Sequence, residues 1–112
     1  MSQITTHVLD TSIGKPAQGI GIALEQNNSG NWKVIASGVT NADGRIEDLL
    51  PRAKILDAGV YRLVFDTASY FKNQKTKSFY PQVSIEFEIT DVSHYHVPLL
   101  LNPFGYSTYR GS

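Results

Sequence analysis

An all-β antiparallel sandwich is the fold this sequence predicts, on three observations. Short segments alternate apolar and polar residues with period two, clusters of Asn, Asp, Gly and Pro separate them, and only one segment breaks the alternation in a way that suits a helix. Roughly seven or eight such strands with turns between them argue for a sandwich rather than a helical layer architecture. The 112 residues can enclose one modest core and leave no length for a second, so residues 1–112 form a single domain. No internal repeat, low-complexity tract or linker divides them.

"ITTHVLD" is the first strand. "IGIALEQ" places Ile20, Ile22 and Leu24 on one side, and "NWKVIASGVT" follows after the turn cluster Asn27 to Asn31, which makes the pair a hairpin. "NADG", Asn41 to Gly44, is a strong turn signal, because Asn, Asp and Gly tolerate the left-handed backbone of tight reversals. "GVYRLVFD" alternates as a central strand. "DTASYFKNQ" carries an N-cap candidate at Asp66 or Thr67 and is the one short helix. "QVSIEFEIT" turns Val83, Ile85, Phe87 and Ile89 inward and Ser84, Glu86 and Glu88 outward, a half-buried strand. "HYHVPLLL" is the next strand. After the turn "NPFG", the closing "YSTYR" alternates once more. Pro98 cannot donate to a ladder, so its strand is expected at an edge or bulged there, and an edge carrying Val97, Leu99, Leu100 and Leu101 is expected to be covered by another subunit.

Charged residues make up 18% of the chain, against roughly 25% in an average soluble protein, which suggests burial of surface in an oligomer. Ten basic and ten acidic residues cancel, so no basic field recruits nucleic acid or an anionic membrane. The absence of cysteine excludes a disulfide framework, a thiolate nucleophile and Cys-ligated metal sites. No apolar run approaches the ~20 residues of a membrane span, and "MSQITTHVLD" lacks the features of a signal peptide. A cytoplasmic protein is expected, or a periplasmic one if a leader has been removed. No Gly-x-Ser-x-Gly elbow, phosphate-binding glycine loop or dinucleotide fingerprint occurs.

Chemistry therefore falls to His, Arg, Tyr, Ser, Lys or carboxylates. His7 lies in the first strand, and His94 and His96, two apart, share one face of a later one. Singly, each is most simply a hydrogen-bonded packing residue. Together they are also raw material for zinc, yet no Asp, Glu or Cys at a characteristic spacing supports a metal. Arg45 follows the "NADG" turn, where a rigid reversal would aim its planar donor fork at a carbonyl or an anionic ring. Glu86 and Glu88 fall on the outward phase of their strand and are solvated. "YSTYRGS" is aromatic and cationic where most chains fray into polar tail, so this end is expected to be docked and used.

"HVLDTSIGKPA", "DGR" and the closing "HYHVPLLLNPFGYSTYRGS" together resemble the 5-hydroxyisourate hydrolases, transthyretin-related enzymes of urate breakdown. The resemblance runs from one end of the chain to the other, and "YRGS" belongs to the enzymes rather than to the hormone-carrying transthyretins. It implies a transthyretin-like sandwich of two four-stranded sheets with one short helix. It also implies a homotetramer with sites in the channel where dimers meet. His7, Arg45 and His96 would form the polar heart of the site, joined by Tyr109, Arg110, Gly111 and Ser112; His94 is not among the family's usual catalytic positions.

The implied reaction hydrolyses an amide-like ring bond of 5-hydroxyisourate to give 2-oxo-4-hydroxy-4-carboxy-5-ureidoimidazoline. Either His7 or His96 would be the base that activates water and the other would deliver a proton to the departing nitrogen. Arg45 would hold the substrate and stabilise the oxyanion. Tyr109 would line the pocket, and Ser112, through its hydroxyl or terminal carboxylate, would orient a histidine or the water. No metal or organic cofactor is required. The rival expectation is a transthyretin-like carrier without catalysis; an adhesive or accessory sandwich ranks last.

Overall fold

A computed structural model describes residues 2–112; Met1 of the expected 1–112 domain lies outside them. The chain forms β1 (Ile4–Asp10), β2 (Lys15–Pro16), β3 (Gly21–Asn28), β4 (Asn31–Val39), β5 (Gly59–Phe65), α1 (Thr67–Asn73), β6 (Val83–Ile89), β7 (Tyr95–Asn102) and β8 (Gly105–Thr108). Two four-stranded sheets result, in the orders β2-β1-β7-β8 and β4-β3-β5-β6. This is the expected sandwich, and its helix is the expected one, capped by Asp66, whose carboxylate accepts the Ser69 N–H. Among the described residues no helix is long and apolar enough to cross a membrane.

The core lies between the two inner faces. Ile4 and Val8 from β1, Leu99 from β7, Leu24 from β3, and Leu63 and Phe65 from β5 are fully enclosed. The β3–β4 hairpin turns through Ser29 (φ 54°) and Gly30 (φ 91°), two consecutive left-handed residues whose twist matches that of the strands they join. In β6, an edge strand, Ile85 and Phe87 are half-buried while Glu86 and Glu88 face water.

Two features depart from the expectations. All neighbouring strands are antiparallel except β1 and β7, which run parallel from Ile4 opposite Tyr95 to Asp10 opposite Leu101. In addition, β7 is an interior strand, between β1 and β8. Alternate residues of a strand turn their backbone groups to the same side. The His96 carbonyl accepts from the Gly111 N–H and the Pro98 carbonyl from the Thr108 hydroxyl, so the Pro98 nitrogen also faces the β8 side. There the ladder stops at Leu99 opposite Thr108 and resumes in the same register as a single bridge, His96 opposite Gly111. Proline removes one rung and leaves the sheet intact.

Helix α1 is tied to β1 through a buried carboxylate. The Tyr70 hydroxyl donates to Asp10 Oδ2 at 2.7 Å, and the backbone N–H and hydroxyl of Ser12 donate to Oδ1. Burial, and next the Asp10 carboxylate it bonds, push the Tyr70 phenol up to about 12. Tyr70→Phe leaves one oxygen of a fully buried carboxylate without its donor, and should cost about 1–3 kcal/mol of unfolding free energy, read as a lower denaturant midpoint. An unchanged midpoint would show that the bond contributes nothing.

Candidate active site

The outer face of the first sheet carries the chemistry. In β1 the odd positions Thr5 and His7 point away from the core, and the parallel register sets Thr5 beside His96 and His7 beside Pro98. The turn after β4 delivers Arg45. The Asn41 side chain accepts the N–H groups of Asp43 and Arg45, the Gly44 N–H returns to the Asn41 carbonyl, and the Gly44 carbonyl receives the Val8 N–H at 2.8 Å. Gly44 is left-handed (φ 72°) and so close to β1 that a Cβ would collide with the Val8 carbonyl oxygen. The clamped turn places Arg45 opposite His7 in an antiparallel bridge.

The chain end closes the arrangement from the other side. Gly111 bridges His96, and a Cβ there would collide with the His96 ring, so only glycine lets the backbone lie against the imidazole. Thr5, Arg45, His94, His96 and Ser112 then line one cleft of about 650 Å³, together with the exposed Glu47, Asp48 and Arg52. Among the described residues, no cluster of three or more His, Asp or Glu is arranged to hold a metal ion.

Of the residues expected at the site, Arg45, His96 and Ser112 meet in this cleft, and His7 stands beside it, paired with Arg45. Gly111 supports the His96 ring. Tyr109 and Arg110 do not reach the cleft within one chain. The Arg110 guanidinium lies 4.3 Å over the Tyr95 ring and donates to the Ser93 hydroxyl and the His94 carbonyl. Tyr109, 58% exposed, borders a smaller groove shared with Ile85, Glu86, Phe87 and Glu88. Sequence reasoning missed Thr5, whose hydroxyl lies 2.7 Å from His94 Nε2 and 2.8 Å from His96 Nδ1. Its outward phase in "ITTHVLD" was readable, but its partners come from a strand about ninety residues away.

Both central histidines are held below their ordinary value. Burial lowers His96 most, followed by the positive charges of Arg45, His94 and His7. Burial and then Arg45 lower His7, with Asp43 acting the other way. Each is therefore neutral, and available as a base, to a pH below 6.5. The sign for stability follows: between 6.5 and the lower folded values the unfolded chain binds more protons, so stability falls with acidification through that window and neither group contributes above it. Denaturant midpoints should fall from neutral pH into that window, and less steeply in His96→Gln. Equal slopes for the two proteins would contradict the assignment.

The model of the HIUase/Transthyretin family matches residues 4–111. The chain belongs to this family. The "5-hydroxyisourate hydrolase" of Salmonella dublin is 46% identical over 110 residues, covering 97% of this chain and 80% of that protein. Among solved structures, that of Klebsiella pneumoniae 5-hydroxyisourate hydrolase is similar with a TM-score of 0.84 and 38% identity, covering 97% of this chain and 92% of that one. Sea bream transthyretin in complex with thyroxine is similar with a TM-score of 0.91 and 34% identity, covering 98% and 95%. HIUase/transthyretin backbones thus match this chain both in a 5-hydroxyisourate hydrolase and in a transthyretin complexed with thyroxine. Within the family, function has to be read from the side chains in the cleft.

Proposed function

We propose that this cleft hydrolyses 5-hydroxyisourate to 2-oxo-4-hydroxy-4-carboxy-5-ureidoimidazoline. The observation that carries the reading is the convergence of Arg45, His96 and Ser112 on one cleft, with the backbone of His7 bridged to that of Arg45. A carrier needs apolar walls and a few orienting groups; a base, a guanidinium and a hydroxyl around one space suit acyl transfer to water. Relatives named 5-hydroxyisourate hydrolase support the substrate.

His96 is the base. Its Nδ1 is engaged by Thr5, which leaves Nε2 to take a proton from water as the oxygen attacks the ring carbonyl. Arg45 holds the substrate and stabilises the oxyanion that forms there. The proton on Nε2 then passes to the departing ring nitrogen, the base acting in turn as the acid. This single-base scheme is proposed in place of the two-histidine division expected from the sequence. His7 lies beside the cleft rather than in its lining, and a histidine kept neutral is a weak acid. His7 instead backs Arg45, and the Ser112 hydroxyl orients the water.

The homotetramer belongs to the same proposal. The cleft opens on the outer face of a sheet, where a second copy would exclude water, and exposed Tyr109 is free to serve a neighbouring subunit's site. Sedimentation should give a mass of four chains.

The product tests the reading. When 5-hydroxyisourate is generated from urate by urate oxidase and the mixture is quenched early, mass spectrometry should find a species heavier by one water accumulating faster with the protein than without it. A chelator should leave that rate unchanged; loss of activity restored by zinc would overturn the metal-free scheme.

A further inference from the structure

The hydroxyl of Thr5 lies between two imidazoles, 2.7 Å from His94 Nε2 and 2.8 Å from His96 Nδ1. The rings are 6.2 Å apart and inclined by 22°, so the three groups form one hydrogen-bonded chain. A hydroxyl carries a single proton and can donate in only one of these directions. The ring it does not donate to must supply its own proton. The tautomers of His94 and His96 are therefore linked through Thr5.

We propose that His94, acting through the Thr5 hydroxyl, sets the tautomer of His96 and carries the positive charge that proton uptake by His96 would otherwise leave on that ring. For His96 to offer Nε2 as a base it must carry its proton on Nδ1. That N–H donates to Thr5 Oγ1, and the Thr5 proton then goes to His94 Nε2, which accepts it only when His94 is neutral and protonated on Nδ1. When water gives a proton to His96 Nε2, the Nδ1 proton moves to Thr5 Oγ1 as the Thr5 proton moves to His94 Nε2. His96 is left neutral with an Nε2–H, Thr5 is unchanged and His94 is the imidazolium. Delivery of the Nε2 proton to the departing nitrogen runs the chain backwards and restores every group. His94 and Thr5 are positioning residues, since neither needs to touch the substrate.

Arg110 supports the same device from outside the cleft by donating to the carbonyl of His94, which fixes the residue just before β7 and so the placing of the His94 ring beside that of His96. The charged and titratable groups facing His96 are Arg45, His7 and His94, with Glu47, Asp48 and Arg52 lining the same cleft. The inference rests on His96 as the base of the proposed hydrolysis, so its test needs one measurement that does not depend on turnover.

Histidine labelled with ¹⁵N supplies that measurement. At neutral pH the unmodified protein should show His96 protonated on Nδ1 and bare on Nε2, and Thr5→Val should move the proton to Nε2, the position a free neutral histidine prefers. In the hydroxyisourate decay assay, Thr5→Val and His94→Gln should each lower kcat roughly tenfold to a hundredfold with KM unchanged, part of what a general base supplies. Thr5→Ser, which keeps the hydroxyl, should restore it. The double variant should be no slower than the slower single one, as for residues that act as a unit. His96 carrying its proton on Nε2 in the unmodified protein, or the two substitutions multiplying in effect, would overturn the relay. An inactive unmodified protein would instead overturn the hydrolytic reading and with it the relay's use.

Discussion

His96→Ala should lower turnover by about 10² to 10⁴, the range a positioned general base commands. Its ring is half-buried on the outer face of β7, so removal leaves the enclosed core of Ile4, Val8, Leu99 and their neighbours untouched. Arg45→Ala should fall in a similar range, about 10² to 10³, as expected when one donor to a developing oxyanion is lost. Arg45 is exposed and its turn is held by backbone bonds and by the Asn41 side chain, so the variant should fold normally. Circular dichroism and sedimentation should match the unmodified protein in both cases. Rates within a few-fold of normal in either variant would remove the assigned base or the assigned stabiliser.

Removing Arg110, Gly111 and Ser112 should leave a folded protein that has lost about 10² or more of its turnover. The three residues contribute little to stability. They add one backbone bond from Gly111 to the His96 carbonyl, the stacking of Arg110 on Tyr95 and two long, exposed Arg110 bonds to Ser93 and His94, together worth about 1–3 kcal/mol. Their effect on the site is larger. Ser112 lines the cleft, Gly111 packs against the His96 ring, and Arg110 holds the His94 backbone. A displaced base loses rate steeply, since misplacement by about 1 Å can cost roughly a hundredfold. A shortened protein with normal rates would reduce this segment to packing.

The strands were legible because one face of each is buried, and burial imposes period two on the residues: Val83 to Ile89 reads directly as an amphipathic edge strand. The turns were legible because left-handed backbone selects its residues, as at Gly30 and Gly44. Strand order was not, because pairing partners leave no local mark. Pro98 suggested an edge, whereas the missing donor falls on a single rung where β8 has ended and the chain end has not yet rejoined. The same limit applies to the site. His7, Arg45, His96 and Ser112 could be singled out as residue types in a suggestive order, and a family resemblance gave them roles. Thr5 could not, because a threonine on the outward phase of a strand looks like any solvated β-former until β7 is laid beside it. The resemblance joins Arg110 to the polar heart of the site, but the alternation that turns Gly111 toward His96 turns Arg110 to the other side, onto Tyr95.

The central claim is that this cleft speeds the opening of a hydroxylated urate ring by water. The most direct measurement is the absorbance decay of 5-hydroxyisourate, formed in place from urate by urate oxidase, with and without the protein. Decay should quicken in proportion to protein concentration, at concentrations far below that of the substrate. A decay no faster than the spontaneous one, with the compound retained in stoichiometric amount by the protein, would contradict catalysis and leave a carrier in its place.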